Sequence, residues 1–244
     1  MAAHFLAFDL GAESGRAMSG RLRSGVLDLT EVSRFANEPV RENGSLYWDL
    51  LHLWLRMRRA LERLEGDPRR LDSIGVDAWG CDYGLLGEGG ELLGNPYHYR
   101  DTRTDGVMAG VFERVSRARI YDVTGIQFLS FNTLFQLVAA TQTTPRLIEA
   151  ANAFGTIPDI FNYWLTGVLR SEYTIATTTQ MIDGRRREWA VNLLREIDLP
   201  VRLLPELIEP GTIIGALKPT LAPGPAGTPV VAPACHDTGS AAAA

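Results

Sequence analysis

Residues 5–22, FLAFDLGAESGRAMSGRL, alternate large apolar with small or polar side chains on both sides of a glycine-containing turn, and VLDLTEVSRF at 26–35 keeps the same pattern. A period of two sends successive side chains to opposite faces of a strand, so this stretch predicts three successive antiparallel strands. After it, strand patterns come singly and helical spacing takes over. DLLHLWLRMRRALERLE (49–65) spaces its apolar residues for a helix behind an Asp cap, and GDP ends it. SIGVDAWG (73–80) and DYGLLG (82–87) read as a buried strand and its successor, and NPYHYRDTRT (95–104) as a loop leading into a helix over about 102–115. TLFQLVAATQTTPRLIEAA (133–151), PDIFNYWLTG (158–167) and EWAVNLLREI (188–197) are helical in pattern, and TPVVAPAC (228–235) is a last strand after the surface loop KPTLAPGPAGTP. Three strands followed by helices alternating with single strands predict an α/β fold, a mixed sheet with helices on both faces.

The chain of 244 residues, 45% hydrophobic, is long enough for a sizeable core. A net charge near −5 and scattered arginines exclude a polyanion-binding surface, so no nucleic acid is expected. The opening MAAHFLAFDLG has no basic segment, Asp9 interrupts its apolar run, and nothing approaches the roughly 18 apolar residues of a membrane span. A cytoplasmic location without a membrane partner is the expectation. Cys81 and Cys235 lack C-x-x-C partners and are expected as plain thiols; His4, His52 and His98 have no metal-ligand spacing. The single lysine, Lys218, precedes a proline, so no G-K-[ST] phosphate loop exists, and phosphate handling falls to glycine turns and arginines.

Four stretches carry candidate chemistry. In FDLGAESGR, a strand ends at Asp9, which faces a cation, while turn amides with Ser14 and Arg16 cradle a phosphate; the alternative is a hairpin with solvated charges. In ACHDTGSA, Asp237 follows a strand and starts a helix, the place for an ionised base or for a simple helix cap. DTGS is also the signature of aspartic proteases, but those need two carboxylates sharing a proton, and one copy is present. VDAWGCDYG offers Asp77, Asp82, an aromatic wall in Trp79 and a close-approach backbone at Gly80, a set that suits a sugar; core packing of Trp79 is the alternative. In YRDTRTDG, Arg100, Asp101 and Arg103 form either a polar clamp or a surface pair, and GRRRE at 184–188 reads as a solvated loop.

Taken in order, AFDLGAESGR, SIGVDAWGCDYGLL, YRDTRTDG, GIQFLSFNTLFQL, PDIFNYWLTG, EYTIATTTQM and VVAPACHDTGSA resemble the rhamnulokinase branch of the FGGY carbohydrate kinases, from about residue 4 to the last. The resemblance implies a ribonuclease H-like, actin/hexokinase-type fold with two lobes around a cleft. It implies that residues 1–244 form the first lobe, with the second, nucleotide-binding lobe absent. It implies ATP-dependent phosphorylation of the C1 hydroxyl of a ketose, L-rhamnulose first, with Mg²⁺. The residues it carries over are Ala12, Glu13, Ser14, Gly15 and Arg16 for ATP, Asp9 for the metal, and Gly80, His236, Asp237 and Thr238 for the sugar, with Asp237 as base; Trp79 joins the sugar set from its own stretch. Glu13 stands where small hydroxyl residues are frequent, and a carboxylate beside a triphosphate is costly unless Mg²⁺ or Arg16 offsets it. On this reading the lobe alone has little or no kinase activity. A sugar-binding or regulatory module, a kinase for L-fuculose or L-xylulose, and a nucleotide-dependent actin or chaperone relative are the alternatives, and the residues set no oligomeric state.

Overall fold

The computed structural model of the chain describes residues 2–64, 71–221 and 227–243. The first three strands are as the alternation predicts: β1 (Ala2–Leu10), β2 (Ser14–Arg23) and β3 (Val26–Ala36) form an antiparallel meander. The short hairpin β4 (Val40–Glu42) and β5 (Ser45–Tyr47) follows, then helix α1 (Leu50–Glu62), whose N-cap Asp49 accepts from His52 N at 2.9 Å. The GDP expected to end this helix lies outside the described residues.

Helix α1 is the crossover that parallel pairing requires, and β6 (Ser73–Ala78) returns beside β1. Next comes β7 (Tyr83–Leu86). The helix expected over 102–115 is broken: a short 3₁₀ turn at Thr102–Thr104 gives way to α2 (Val107–Arg114) because Gly106 takes a left-handed φ of 78°. A helix the pattern did not announce, α3 (Arg117–Thr124), starts on a Ser116 cap and stops at left-handed Gly125. The long run at 133–151 is two helices, α4 (Thr133–Thr143) and α5 (Pro145–Ala150), since Pro145 cannot continue α4 but suits a first helical position.

Strand β8 (Ala153–Thr156) pairs with β7 and feeds α6 (Ile157–Thr166) through a Thr156/Asp159 capping box. Short β9 (Ser171–Glu172) leads into α7 (Tyr173–Thr177). The pair β10 (Ile182–Asp183) and β11 (Glu188–Trp189) takes the residues expected to open the helix at 188, so α8 (Val191–Glu196) is shorter than its pattern. The chain ends with β12 (Leu207–Ile208), β13 (Ile213–Ala216), β14 (Pro229–Val231) and α9 (Asp237–Ala243). The middle of the Pro- and Gly-rich loop, 222–226, is outside the described residues.

Six strands form one mixed sheet in the order β13-β14-β6-β1-β2-β3. Its inner face sends Leu6, Phe8, Leu10, Ile74 and Val76 against Leu53 and Met57 of α1 and Ile160 and Phe161 of α6. Each such fully buried side chain contributes about 1.5–3 kcal/mol, so this layer is the main anchor of the sheet. A second core gathers around α4, with Phe135, Phe154 and Leu194. The sheet's other face is thinly covered: Ala7 is exposed, Asp9 and Asp77 are half-buried, and α9 reaches it only beside β6. That open face positions the site.

Candidate active site

Strand register builds the site. Asp9 stands opposite Arg16 on β2 and opposite Asp77 on β6, and because all three share one level of the sheet, their side chains share one face. Beyond β6 the row continues: Ala78 forms an isolated bridge to His236, and Ala78 N donates to Cys235 O at 2.9 Å. Asp237 follows at the start of α9. Three carboxylates and one arginine thus line the open face.

Their surroundings separate them. Asp9 Oδ2 accepts from Arg16 Nε at 2.7 Å, both side chains well exposed. Asp77 is pushed up to about 7, by burial first and then by the charges of Asp9 and Asp237; a Ser240 hydrogen bond and Arg16 oppose the shift. Asp237 keeps about a third of its side chain exposed, with His236 Nε2 3.5 Å away and Thr238 N donating to its Oδ1 at 2.6 Å. It is a carboxylate open on one side, which a general base requires.

The first turn is shorter than expected. Gly11 N donates to Ser14 O at 2.9 Å, Asn37 N donates to Glu13 O at 3.0 Å, and Asn37 Nδ2 donates to Gly11 O at 2.8 Å. Ala12 and Glu13 are the turn, while Ser14, Gly15 and Arg16 already belong to β2. Gly15 lies buried under Phe35, whose ring would sit 2.3 Å from an added Cβ, so packing by itself calls for a glycine here.

Trp79 packs in the interior. It is 4% exposed, its ring tilted against Trp48 at 4.2 Å between centroids, and its Nε1 donates to Asp82 Oδ2 at 3.0 Å. The residue after a strand end was expected to present its ring to a sugar; the core took it instead. Asp82 is equally enclosed, accepting from Trp48 Nε1 at 2.5 Å, Tyr99 N at 3.2 Å and Gln136 Nε2 at 2.8 Å, with burial pushing it up to about 6. Gly80 is half-buried, and its bare face meets Thr178, where an added Cβ would come within 3.0 Å. Asp101 and Arg103 are tied up structurally, Arg103 on Gln136 O and Oε1 and Asp101 on Leu46 N. His4 and His98 are buried and hydrogen-bonded, and both cysteines are free, with burial pushing the Cys81 thiol up to about 12.

Sequence reasoning undervalued Asp77 and passed over α7. Asp77 was signalled by period: in β6 it alternates with buried Val76 and Ala78, which puts it on the face of Asp9. Helix α7 spans the site, since Thr174 Oγ1 accepts from His236 N at 3.2 Å and Thr178 Oγ1 accepts from Cys81 N at 3.0 Å.

A divalent cation fits this donor set only in part. Among the described residues no three His, Cys, Asp or Glu side chains are arranged as a metal cage. Mg²⁺, however, is commonly held by one or two carboxylates with phosphate oxygens and water, and the repulsion from Asp9 and Asp237 that adds to burial in raising Asp77 is what such a cation relieves.

Residues 4–244 match the sequence profile of the N-terminal domain of the FGGY family of carbohydrate kinases. The chain is 42% identical over 237 residues to a rhamnulokinase of Mannheimia succiniciproducens, covering 96% of this chain and 48% of that one. It is 39% identical over 246 residues to a rhamnulokinase of Bacteroides thetaiotaomicron, covering 100% and 51%. It therefore spans about half the length of the curated relatives it matches. Among solved structures, gluconate kinase from Lactobacillus acidophilus superposes with a TM-score of 0.84 at 16% identity, covering 95% of this chain and 47% of that one. Xylulose kinase from Rhodospirillum rubrum gives 0.82 at 20%, covering 94% and 49%. These likenesses show a shared fold, and with the profile match along the whole described sheet and site they establish that this chain belongs to the FGGY family of carbohydrate kinases, as its N-terminal domain.

Proposed function

We propose that this chain is the sugar-binding lobe of an ATP-dependent ketose kinase that converts L-rhamnulose to L-rhamnulose 1-phosphate, and that a second lobe holds the adenosine. The observation that carries this reading is Asp237: a carboxylate about a third exposed at the head of α9, at the end of a row with Asp77 and Asp9, in a chain about 40% identical to rhamnulokinases throughout.

On this reading Asp237 takes the proton of the C1 hydroxyl. The alkoxide oxygen attacks the γ-phosphorus of ATP in line, the new O–P bond forms as the bond to the β-phosphate oxygen breaks, and ADP leaves. His236, Thr238 and the backbone at Gly80 orient the sugar; Ala12, Glu13, Ser14 and Arg16 face the phosphates. Asp9, with Asp77 beside it, would hold Mg²⁺, which when bound neutralises phosphate charge. A cation on Asp9 and a phosphate on Arg16 satisfy two charges that otherwise satisfy each other at 2.7 Å. A cytoplasmic location, where ATP is supplied, goes with this reading. Among the described residues no helix is long and apolar enough to cross a membrane.

The test is a coupled ADP-release assay of the complete gene product with L-rhamnulose, L-fuculose and L-xylulose. L-Rhamnulose is expected to give the highest kcat/KM. A higher value for another ketose overturns the substrate, and turnover of none overturns the kinase. Thermal shift of the 244-residue chain with the same sugars places the pocket, since a ligand of the folded state alone raises Tm.

A further inference from the structure

The segment that delivers Asp237 is only lightly held by the sheet, through the isolated Ala78–His236 bridge and the Ala78 N to Cys235 O hydrogen bond. Strand β14 ends at Val231, its pairing to β6 is the single register Val230–Ile74, and Pro233 has no N–H to donate. A second set of contacts fixes the backbone at 234–236. Cys235 N donates to Glu172 Oε2 at 2.9 Å, and His236 N donates to Thr174 Oγ1 at 3.2 Å. Thr174 Oγ1 in turn donates to Glu172 Oε2 at 2.6 Å. Two successive amides immediately before Asp237 thus hang on one carboxylate and the hydroxyl bound to it. From the other side, Ala78 N donates to Cys235 O and Ser240 Oγ to Ala234 O.

Glu172 is 1% exposed and also caps α7, accepting from Thr174 N at 2.8 Å and Ile175 N at 3.2 Å. Capping a helix of five residues does not require a fully buried carboxylate, because an exposed Ser or Asp serves at far lower desolvation cost. What burial adds is reach to a segment 63 residues away. A second buried acid braces it: Asp159 Oδ1 accepts from Glu172 N at 3.3 Å, while its Oδ2 accepts from Thr156 Oγ1 and Ser171 Oγ. At its far end α7 presents Thr178 to Gly80 and Cys81, so the helix spaces the base from the other proposed sugar contact.

We propose that Glu172, acting through Thr174, is a positioning residue that sets where Asp237 stands relative to the sugar. This rests on the reading of Asp237 as the base. A displacement of about 1 Å in such a group costs on the order of 100-fold in rate. Glu172→Gln keeps the size but replaces one acceptor oxygen with a donor that faces N–H groups. In the complete gene product it is expected to lower kcat about 10- to 100-fold, on the scale of that misplacement cost, with the ketose KM changed less than about threefold. A residue that merely stabilised the fold would lower Tm and leave kcat per folded molecule alone.

The second arm needs no turnover. Amide hydrogen exchange of the 244-residue chain should accelerate about tenfold or more at Cys235 and His236 in the variant, with α1 and α6 amides unchanged. Thr174→Val, which keeps the Glu172 link to Cys235, should accelerate His236 alone and lower kcat less; it carries the test where Glu172→Gln does not fold. A kcat within twofold of wild type for both variants, or unaltered protection at both amides, overturns the proposal. If the wild-type enzyme phosphorylates no ketose, the kinase reading fails, and the exchange arm still decides whether Glu172 holds this segment.

Discussion

Asp237 and Asp82 are both aspartates just beyond the ends of sheet strands, yet the chain treats them in opposite ways. Asp82 accepts from four donors on all sides and is 1% exposed; Asp237 accepts from its own neighbour Thr238 and leaves a third of its side chain open. A carboxylate whose lone pairs are all taken can hold loops together but cannot receive a substrate proton. One left underbonded can. Comparing bonding saturation, rather than residue type, separates the structural acids of this lobe, Asp82, Asp159 and Glu172, from the row Asp9, Asp77 and Asp237.

The largest effect that can break this comparison is catalytic. Asp237→Asn in the complete gene product should lower kcat by about 10²–10⁴ while shifting stability by no more than about 0.5 kcal/mol, the usual range for a surface substitution. Retention of most of the activity would falsify the base assignment. The mirror experiment is Asp82→Ala, which orphans the indole N–H groups of Trp48 and Trp79 and the amide of Tyr99. At about 1–3 kcal/mol for each buried donor left unpaired, the variant should lose at least about 3 kcal/mol. For a domain of this size that is a Tm drop of about 6 °C or more. A Tm unchanged within 2 °C would mean that these donors find water or other partners.

How much of this was legible follows the reach of each interaction. Asp9, Arg16, His236 and Asp237 sit in local motifs at strand ends, where period and turn chemistry reveal them. The three-strand meander was equally plain, since it is written as three consecutive alternations. Asp82 looked like a sugar acceptor because the partners that saturate it come from residues 48, 99 and 136, and no local pattern announces them. That Gly15 packs under Phe35 is not announced by its own stretch. Glu172 carried no reading of its own in the sequence, and the role proposed for it depends on a contact 63 residues downstream. The breaks at Gly106 and Pro145 were readable, and the long apolar patterns concealed them.

A smaller effect tests the buried acids by pH. Asp159 is pushed up to about 7 from 3.8, chiefly by burial. Between those values the folded chain keeps a proton that the unfolded chain releases, so the contribution of this group to stability falls as pH rises through the window. Asp82, pushed up to about 6, acts in the same direction; His98, lowered to about 4 by burial, acts oppositely between about 4 and 6.5. Asp159→Asn removes one of these slopes. The Tm difference, variant minus wild type, should therefore become more positive from pH 5 to pH 8. A flat or declining difference across that range would show that Asp159 is ionised in the folded chain throughout.

The smallest effect sharpens the comparison most, because it concerns a residue that the sequence offers to the sugar and the structure packs in the core. Trp79→Phe keeps an aromatic ring beside Trp48 and removes one hydrogen bond to Asp82, which retains three donors. The cost should be about 1 kcal/mol, a Tm shift of about 2–4 °C, with the ketose KM unchanged. A core tryptophan behaves that way. If instead KM for the sugar rises tenfold and Tm stays put, Trp79 reaches the substrate when the cleft is occupied, and the line drawn between the saturated interior around Asp82 and the open row ending at Asp237 has to move by one residue.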